Sequence, residues 1–138
     1  MTTQQELRLK TSESEKITIN LGPIDLGQID LLVQEGFYAN RTDLIRTAIR
    51  NQLAQHADVV KQTVARKSLV LGMQHYTRQD LEQLQAAGER LRIHVLGLAS
   101  IANDVSVELA LATIESIFVL GALHASAVLK TALAGRIH

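Results

Sequence analysis

The chain has 138 residues, of which 46% are hydrophobic and only 3% aromatic. This length fits one ordinary domain or two small ones, with a core built from aliphatic side chains. The net charge is zero, so any binding to nucleic acid must use a local group of donors and not a general positive field. There is no cysteine, which excludes disulfides and thiolate chemistry.

The beginning of the chain is polar, and we interpret residues 1–14 as a flexible arm with no secretory signal. In the apolar C-terminal half, the longest run without a charged side chain is residues 116–129. Such a run is too short to cross a bilayer as a helix. We therefore expect a soluble, cytoplasmic protein with no membrane partner.

Residues 16–21 are the first patterned segment, because apolar and polar side chains alternate there as in a strand with one buried face. The polar face carries a cation, a hydroxyl and a carboxamide, which are suited to base edges and phosphates. A single short strand among helices cannot pair its own backbone, so we expect it to pair with the same strand of a second copy. The apolar side chains that would face this dimer are Ile17, Ile19 and Leu21.

Two helices are predicted after this strand. Pro23 suits the first turn of a short helix, and Gly36 suits the turn that follows it. Asn40 is a good N-cap for the second helix, with Asp43 three residues later as in a near capping box. The apolar face of that helix continues as far as Val64, which predicts one long helix.

This order of strand, short helix, glycine turn and capped helix resembles the ribbon-helix-helix family of DNA-binding proteins, which includes MetJ and Arc. The resemblance is carried by residues 16–21 and 36–46, within a match of about 15–56. It implies an obligate intertwined dimer whose antiparallel ribbon enters the major groove of double-stranded DNA. By position, it implies base contacts from Lys16, Thr18 and Asn20. It also implies phosphate contacts from the start of the second helix, at Asn40, Arg41 and Thr42.

The C-terminal half contains an internal repeat. Residues 91–98 are similar to residues 115–122, at an offset of 24, and residues 68–73 are a weaker copy. Each copy is patterned as a short strand, a glycine turn and a helix. Three such units predict a small solenoid of parallel strands over residues 68–136. With a ribbon-helix-helix domain over residues 15–66, the predicted fold class is α+β.

The predicted strands would direct some apolar side chains away from the core, and an exposed apolar patch usually marks an interface. These residues are Leu96, Phe118 and Leu120, joined by Leu69 and Leu71. We therefore predict a homodimer or higher homo-oligomer that uses this patch as well as the ribbon. A small-molecule effector site is the alternative use of the C-terminal module.

No metal site, cofactor or catalytic residue is predicted. Nickel-responsive regulators also join a ribbon-helix-helix domain to a sensor, but their sensor needs a His-x-His pair and a cysteine, which this chain lacks. His75 and His124 occupy equivalent places in the outer copies of the repeat, so a two-histidine site is an open alternative. No nucleophile motif, P-loop or dinucleotide fingerprint occurs, so we do not expect an enzyme.

These patterns predict a sequence-specific DNA-binding regulator that represses transcription at a two-fold operator. One alternative is an antitoxin-like or assembly protein whose C-terminal module binds a protein partner. A lesser alternative is a metal-responsive or ligand-responsive regulator.

Overall fold

A computed structural model describes residues 14–138. All of the arm predicted over residues 1–14 except Ser14 lies outside the described residues. The described chain forms two compact units, Ser14–Thr63 and Val64–His138. Among residues 14–138, none of the helices combines the length and apolar character needed to cross a membrane.

The first unit consists mainly of helices. Helix α1 is Pro23–Gln34, α2 is Arg41–Gln55, and α3 is Ala57–Arg66, which extends past the end of the unit. Pro23 is the first residue of α1, as the sequence predicts. Residues 14–22 are neither helix nor strand in the single chain. The strand predicted over residues 16–21 is therefore not formed within the single chain, and its pairing with a second copy remains a prediction.

The second helix is shorter than the sequence predicts. It ends at Gln55, and α3 begins at Ala57, so the single long helix predicted as far as Val64 is wrong. At the break, the His56 N–H donates to the Leu53 carbonyl, only three residues back, at 3.1 Å. One such tight turn hardly changes the spacing of apolar side chains, and periodicity therefore does not detect it.

The first unit buries none of its side chains within one chain: no residue between 14 and 63 is buried. Many large apolar side chains lie open to solvent there. The exposed fractions are 74% for Ile17, 58% for Ile19, 76% for Ile24, 71% for Phe37 and 60% for Leu53. Helices whose apolar face is exposed to solvent need another surface to cover that face.

The second unit contains a parallel sheet of three strands within the described chain, in the order β1-β2-β3. The strands are β1 Val70–Tyr76, β2 Leu91–Ile101 and β3 Ile114–His124. Parallel strands need long crossover connections, which are supplied by α4 Arg78–Ala86 and α5 Val107–Thr113. Helix α6 Ala127–Ala132 and a 3-10 turn at Ala134–Arg136 complete the chain. The predicted parallel strands are confirmed, and the solenoid remains a prediction. The glycine turn predicted after each strand is wrong, because Gly72, Gly97 and Gly121 lie within longer strands.

One face of this sheet packs against the three helices and forms the core. Each helix begins at a side-chain cap, and the capping residues are Thr77, Ser106 and Ser126. The fully buried core side chains include Leu81 of α4 and Leu129 of α6. Ile93 and Val95 of β2 belong to the same core. The helices and the sheet thus bury a common aliphatic core, as the low aromatic content requires.

A row of three glycines crosses the middle of the sheet. Gly72 pairs with Gly97, which pairs with Gly121, and their φ angles are 127°, 139° and 121°. A Cβ atom on Gly97 would lie 2.1 Å from the Gly72 carbonyl oxygen, and one on Gly121 would lie 2.1 Å from that of Gly97. The strands therefore approach one another in a way that only glycine permits.

Candidate nucleic-acid interface

The start of α2 is capped as the sequence predicts. The Asn40 side-chain oxygen accepts a hydrogen bond from the Asp43 N–H at 2.8 Å. The Asp43 carboxylate accepts one from the Ala39 N–H at 3.0 Å, so the reciprocal bond reaches one residue further back than in a standard capping box. The other N–H groups of this first turn are the kind that attract an anion.

Arg41 is held by a partner that the sequence pattern does not predict. Its Nε and Nη2 donate to the two carboxylate oxygens of Asp30, at 2.7 and 2.8 Å, and join α2 to α1. The hydrogen bond from Arg41, together with its charge, lowers the pKa of Asp30 below its usual value. Asp30 in turn raises the pKa of Arg41. The two side chains are 57% and 51% exposed, so a phosphate can reach the guanidinium and compete with Asp30.

All six residues predicted to contact DNA lie in the first unit, and all are exposed. The predicted base contacts belong to residues 14–22, which have no regular structure in the single chain. The predicted phosphate contacts lie at the start of the capped helix. Arg46 and Arg50 are also exposed on α2 and add positive charge to the same helix.

The middle of the outer face of the C-terminal sheet is apolar. Leu71, Leu96 and Leu120 form one row across the three strands. Leu71 is 66% exposed and Leu120 is 48% exposed, while Leu96 is half-buried. Phe118 is also half-buried, and the ammonium of Lys67 lies 5.8 Å from the centre of its ring. This face has the residues predicted for an oligomer interface.

Leu69 does not belong to this patch, so that part of the prediction is wrong. Its side chain is 8% exposed and therefore buried. The Leu69 N–H donates to the Val64 carbonyl at 3.0 Å, which folds the residue before β1 back toward the end of α3. The strand alternation that predicted exposure for Leu69 begins only at Val70.

A cleft of about 810 Å³ lies at the carboxyl ends of the strands, where open sheets with helical crossovers usually bind ligands. The register places His75, Ser100 and His124 in one row there, and His75 Nδ1 is 2.6 Å from the Ser100 hydroxyl. Because β2 lies between them, the backbones of the two histidines are about 10 Å apart. Residues 14–138 contain no group of three or more side chains able to hold a metal ion.

Comparison with known families defines the class of this protein. Residues 12–130 match the sequence pattern of the Ribbon-Helix-Helix transcriptional regulator family. The match covers most of the chain, so the protein belongs to this family. Searches of curated proteins and of solved structures each found no match. Regulators of this family bind DNA, usually dimerise and are typically not enzymes.

The family match extends beyond the residues that carry the resemblance. It continues through all three strands of the C-terminal sheet and into α6. The second unit is therefore part of what the family has in common, and its role must be considered together with that of the ribbon.

Proposed function

We propose that this chain is a sequence-specific repressor that reads the major groove with an antiparallel ribbon formed by two copies. The observation that supports this most strongly is the uncovered apolar side of the first unit. Ile17 and Ile19 are exposed, although they belong to the alternating segment that the family pairs across a dimer. A second copy would cover them and form the missing strand pair.

In such a ribbon, the polar face would be directed at the bases. Thr18 and Asn20 offer a hydroxyl and a carboxamide, and the carboxamide can make a bidentate contact with adenine. Lys16 can reach guanine or a flanking phosphate. The first turn of α2 would hold the backbone phosphate and fix the register of the ribbon on the duplex.

Affinity requires more than one ribbon. The chain has no net charge, and Arg41 must exchange Asp30 for phosphate, so a single dimer gains little from counterion release. We propose that the C-terminal unit associates with itself and thereby places two ribbons on one operator. Binding of the second ribbon is then intramolecular, which raises the overall affinity above that of either ribbon alone. Occupation of a promoter by this assembly would block transcription.

The decisive experiment is selection of bound sequences from random DNA, with the full chain and with a Thr18→Ala, Asn20→Ala variant. We expect the wild type to enrich a two-fold related sequence. The variant should keep its solution mass and lose the preference, since each base contact contributes about 1–3 kcal/mol of discrimination. Asn51→Ala, which removes an exposed amide from α2, is the matched control and should select the wild-type sequence.

Two results would contradict the proposal. If the wild type selects no sequence, the repressor function is wrong. If the Thr18→Ala, Asn20→Ala variant selects the same sequence as the wild type, the ribbon is not the reading element.

The cleft favours a second candidate function, a regulator that responds to a small organic anion. The lining includes His75, Ser100 and Lys130, together with apolar side chains, and it contains no acidic residue. Citrate and inorganic phosphate are suitable probes, and we expect them to raise the melting temperature of the wild type and not of Lys130→Ala. Lys61→Ala, in α3, is the control. Equal shifts in all three proteins would rule out this site.

A further inference from the structure

The two edge strands of the C-terminal sheet, β1 and β3, differ in whether residues of the same chain cover them. At the β3 edge, the chain's own end forms a short parallel bridge: Ile137 pairs with Ile117, and the His138 N–H donates to the Ile117 carbonyl at 2.8 Å. Arg136 fixes this turn, because its Nη1 lies 2.7 Å from each of two carbonyl oxygens, those of Leu111 and Ile114. The β3 edge is thus covered at Ile117 by residues of the same chain.

The β1 edge has no such cover among residues 14–138, where only β2 pairs with β1. The strand has seven residues and contains no Lys, Arg, Asp, Glu or Pro. Leu71 and Met73 are 66% and 61% exposed. Natural sheets protect a free edge with charge, proline or a covering segment, and an apolar edge without them is a site for pairing with another chain.

The direction of the backbone shows which groups this edge presents. The Tyr76 carbonyl accepts a hydrogen bond from the Ala102 N–H at 2.9 Å, so it faces the β2 side. The Gly72 carbonyl also faces β2, because it lies against Gly97. Since alternate residues of a strand bond to alternate sides, Leu71, Met73 and His75 direct their N–H and C=O groups to the open edge.

We propose that the β1 edge pairs, antiparallel, with β1 of a second copy of this chain and continues the sheet to six strands across a two-fold axis. A pairing of like edges about a two-fold axis is closed, and each of the two β3 edges that remain is bridged at Ile117 by its own chain. Stacking of β1 on β3 of the next copy is blocked where Ile137 and His138 already occupy the β3 edge. The pairing also brings Leu71 and Met73 against their counterparts, which removes exposed apolar surface from water.

This inference rests on the proposed function in one respect, which is that the ribbon holds two copies together and raises their local concentration. It gives the C-terminal self-association a definite location. The contact is made by the edge of the sheet, and the row of Leu71, Leu96 and Leu120 continues across it. A face-to-face contact through Leu120 would be a different arrangement.

The absence of native cysteine allows a direct test in the full chain. Single substitutions Leu71→Cys, Met73→Cys and His75→Cys place one thiol at successive outward positions of β1. In an antiparallel pair across a two-fold axis, one residue lies opposite itself, within the 4.4–6.8 Å Cα separation that a disulfide requires. If the axis falls at Gly72 or Gln74, two of these outward positions lie opposite each other, so equimolar mixtures of neighbouring single variants are oxidised as well. Leu120→Cys tests the face, and Gln85→Cys on α4 is an exposed control.

After mild oxidation, we expect the best β1 position to form linked dimers at least about fivefold faster than Gln85→Cys, with weaker linking at its neighbours. Met73→Pro should reduce self-association, because it removes only an N–H that faces outward. The inference is overturned if no β1 position, alone or in a mixture of neighbouring variants, exceeds Gln85→Cys, or if Leu120→Cys links fastest. These readouts hold even if Met73→Pro fails to fold.

Binding of the selected DNA by the same reduced proteins separates this inference from the proposed function. Linking at β1 without any sequence preference in the wild type would leave the edge pairing intact and remove the repressor. Sequence-specific binding without linking at β1 would leave the repressor intact and remove the edge pairing.

Discussion

Asn40 caps α2, and in the proposed DNA complex the same residue lies beside a backbone phosphate. The hydrogen bond from the Asp43 N–H to its oxygen is 2.8 Å long. We expect Asn40→Ala to lower the free energy of unfolding by about 1 kcal/mol, measured by urea denaturation of the full chain. Asn40→Ser preserves a capping oxygen, so it should lower the free energy of unfolding by only a few tenths of that amount. Equal losses would mean that the cap contributes nothing.

If Arg41 contacts a phosphate as we propose, Asp30 competes with that phosphate for the guanidinium. In the wild type, both carboxylate oxygens of Asp30 bind the Arg41 guanidinium. Asp30→Ala removes this carboxylate and frees the guanidinium. We expect tighter binding to any duplex. We also expect a log–log salt slope that is steeper by about 0.9 for each Arg41 that gains a phosphate. Glu35→Ala removes the same charge at the end of α1 without touching Arg41 and is the control. If the salt slope is steeper in both Asp30→Ala and Glu35→Ala, the change reflects net charge alone.

At the scale of elements, the glycine row offers a test of why the strands pack so closely. Gly97→Ala would place a Cβ 2.1 Å from the Gly72 carbonyl oxygen at a φ of 139°. We expect it to destabilise the second unit by more than about 3 kcal/mol, seen as loss of the thermal transition of the sheet. Gly72→Ala has a similar φ, but nothing lies within 4 Å of its Cβ. Gly72→Ala therefore introduces only the backbone strain, and it should destabilise the second unit less than Gly97→Ala does.

Elements of this protein were predictable to the extent that they depend on local pattern. The cap at Asn40, the turn at Gly36 and the parallel strands follow from side-chain type and spacing, because these features involve residues near each other in sequence or repeated at a fixed offset. The break at His56, the ion pair of Arg41 and the burial of Leu69 do not follow. Each depends on one hydrogen bond or on tertiary contacts, which periodicity does not encode.

The candidate site divides in the same way. The side chains suited to bases and phosphate could be proposed from residues 16–21 and 40–42. Their arrangement on DNA could not be derived from one chain, because residues 14–22 have no regular structure there and the proposed strand needs a second chain to supply its hydrogen bonds.

At the scale of the whole molecule, the two units should respond differently to dilution. The second unit has its own core, whereas no residue between 14 and 63 is fully buried in a single chain. We therefore expect folding of the first unit to be coupled to dimerisation. A hundredfold dilution should lower its apparent stability by about 2.7 kcal/mol for each mole of dimer. Hydrogen exchange at two protein concentrations checks this, with peptides from α1 and α2 compared with peptides from β2 and β3.

The variant Ile19→Asp assigns that dependence to the ribbon. A charge on the apolar face of the segment would be buried without a partner in the dimer, so α1 and α2 should exchange rapidly at every concentration while β2 and β3 stay protected. Asn51→Asp adds the same charge on the exposed side of α2 and should behave like the wild type. If α1 and α2 stay protected in Ile19→Asp, the first unit folds without the ribbon, and the exposed isoleucines need another explanation.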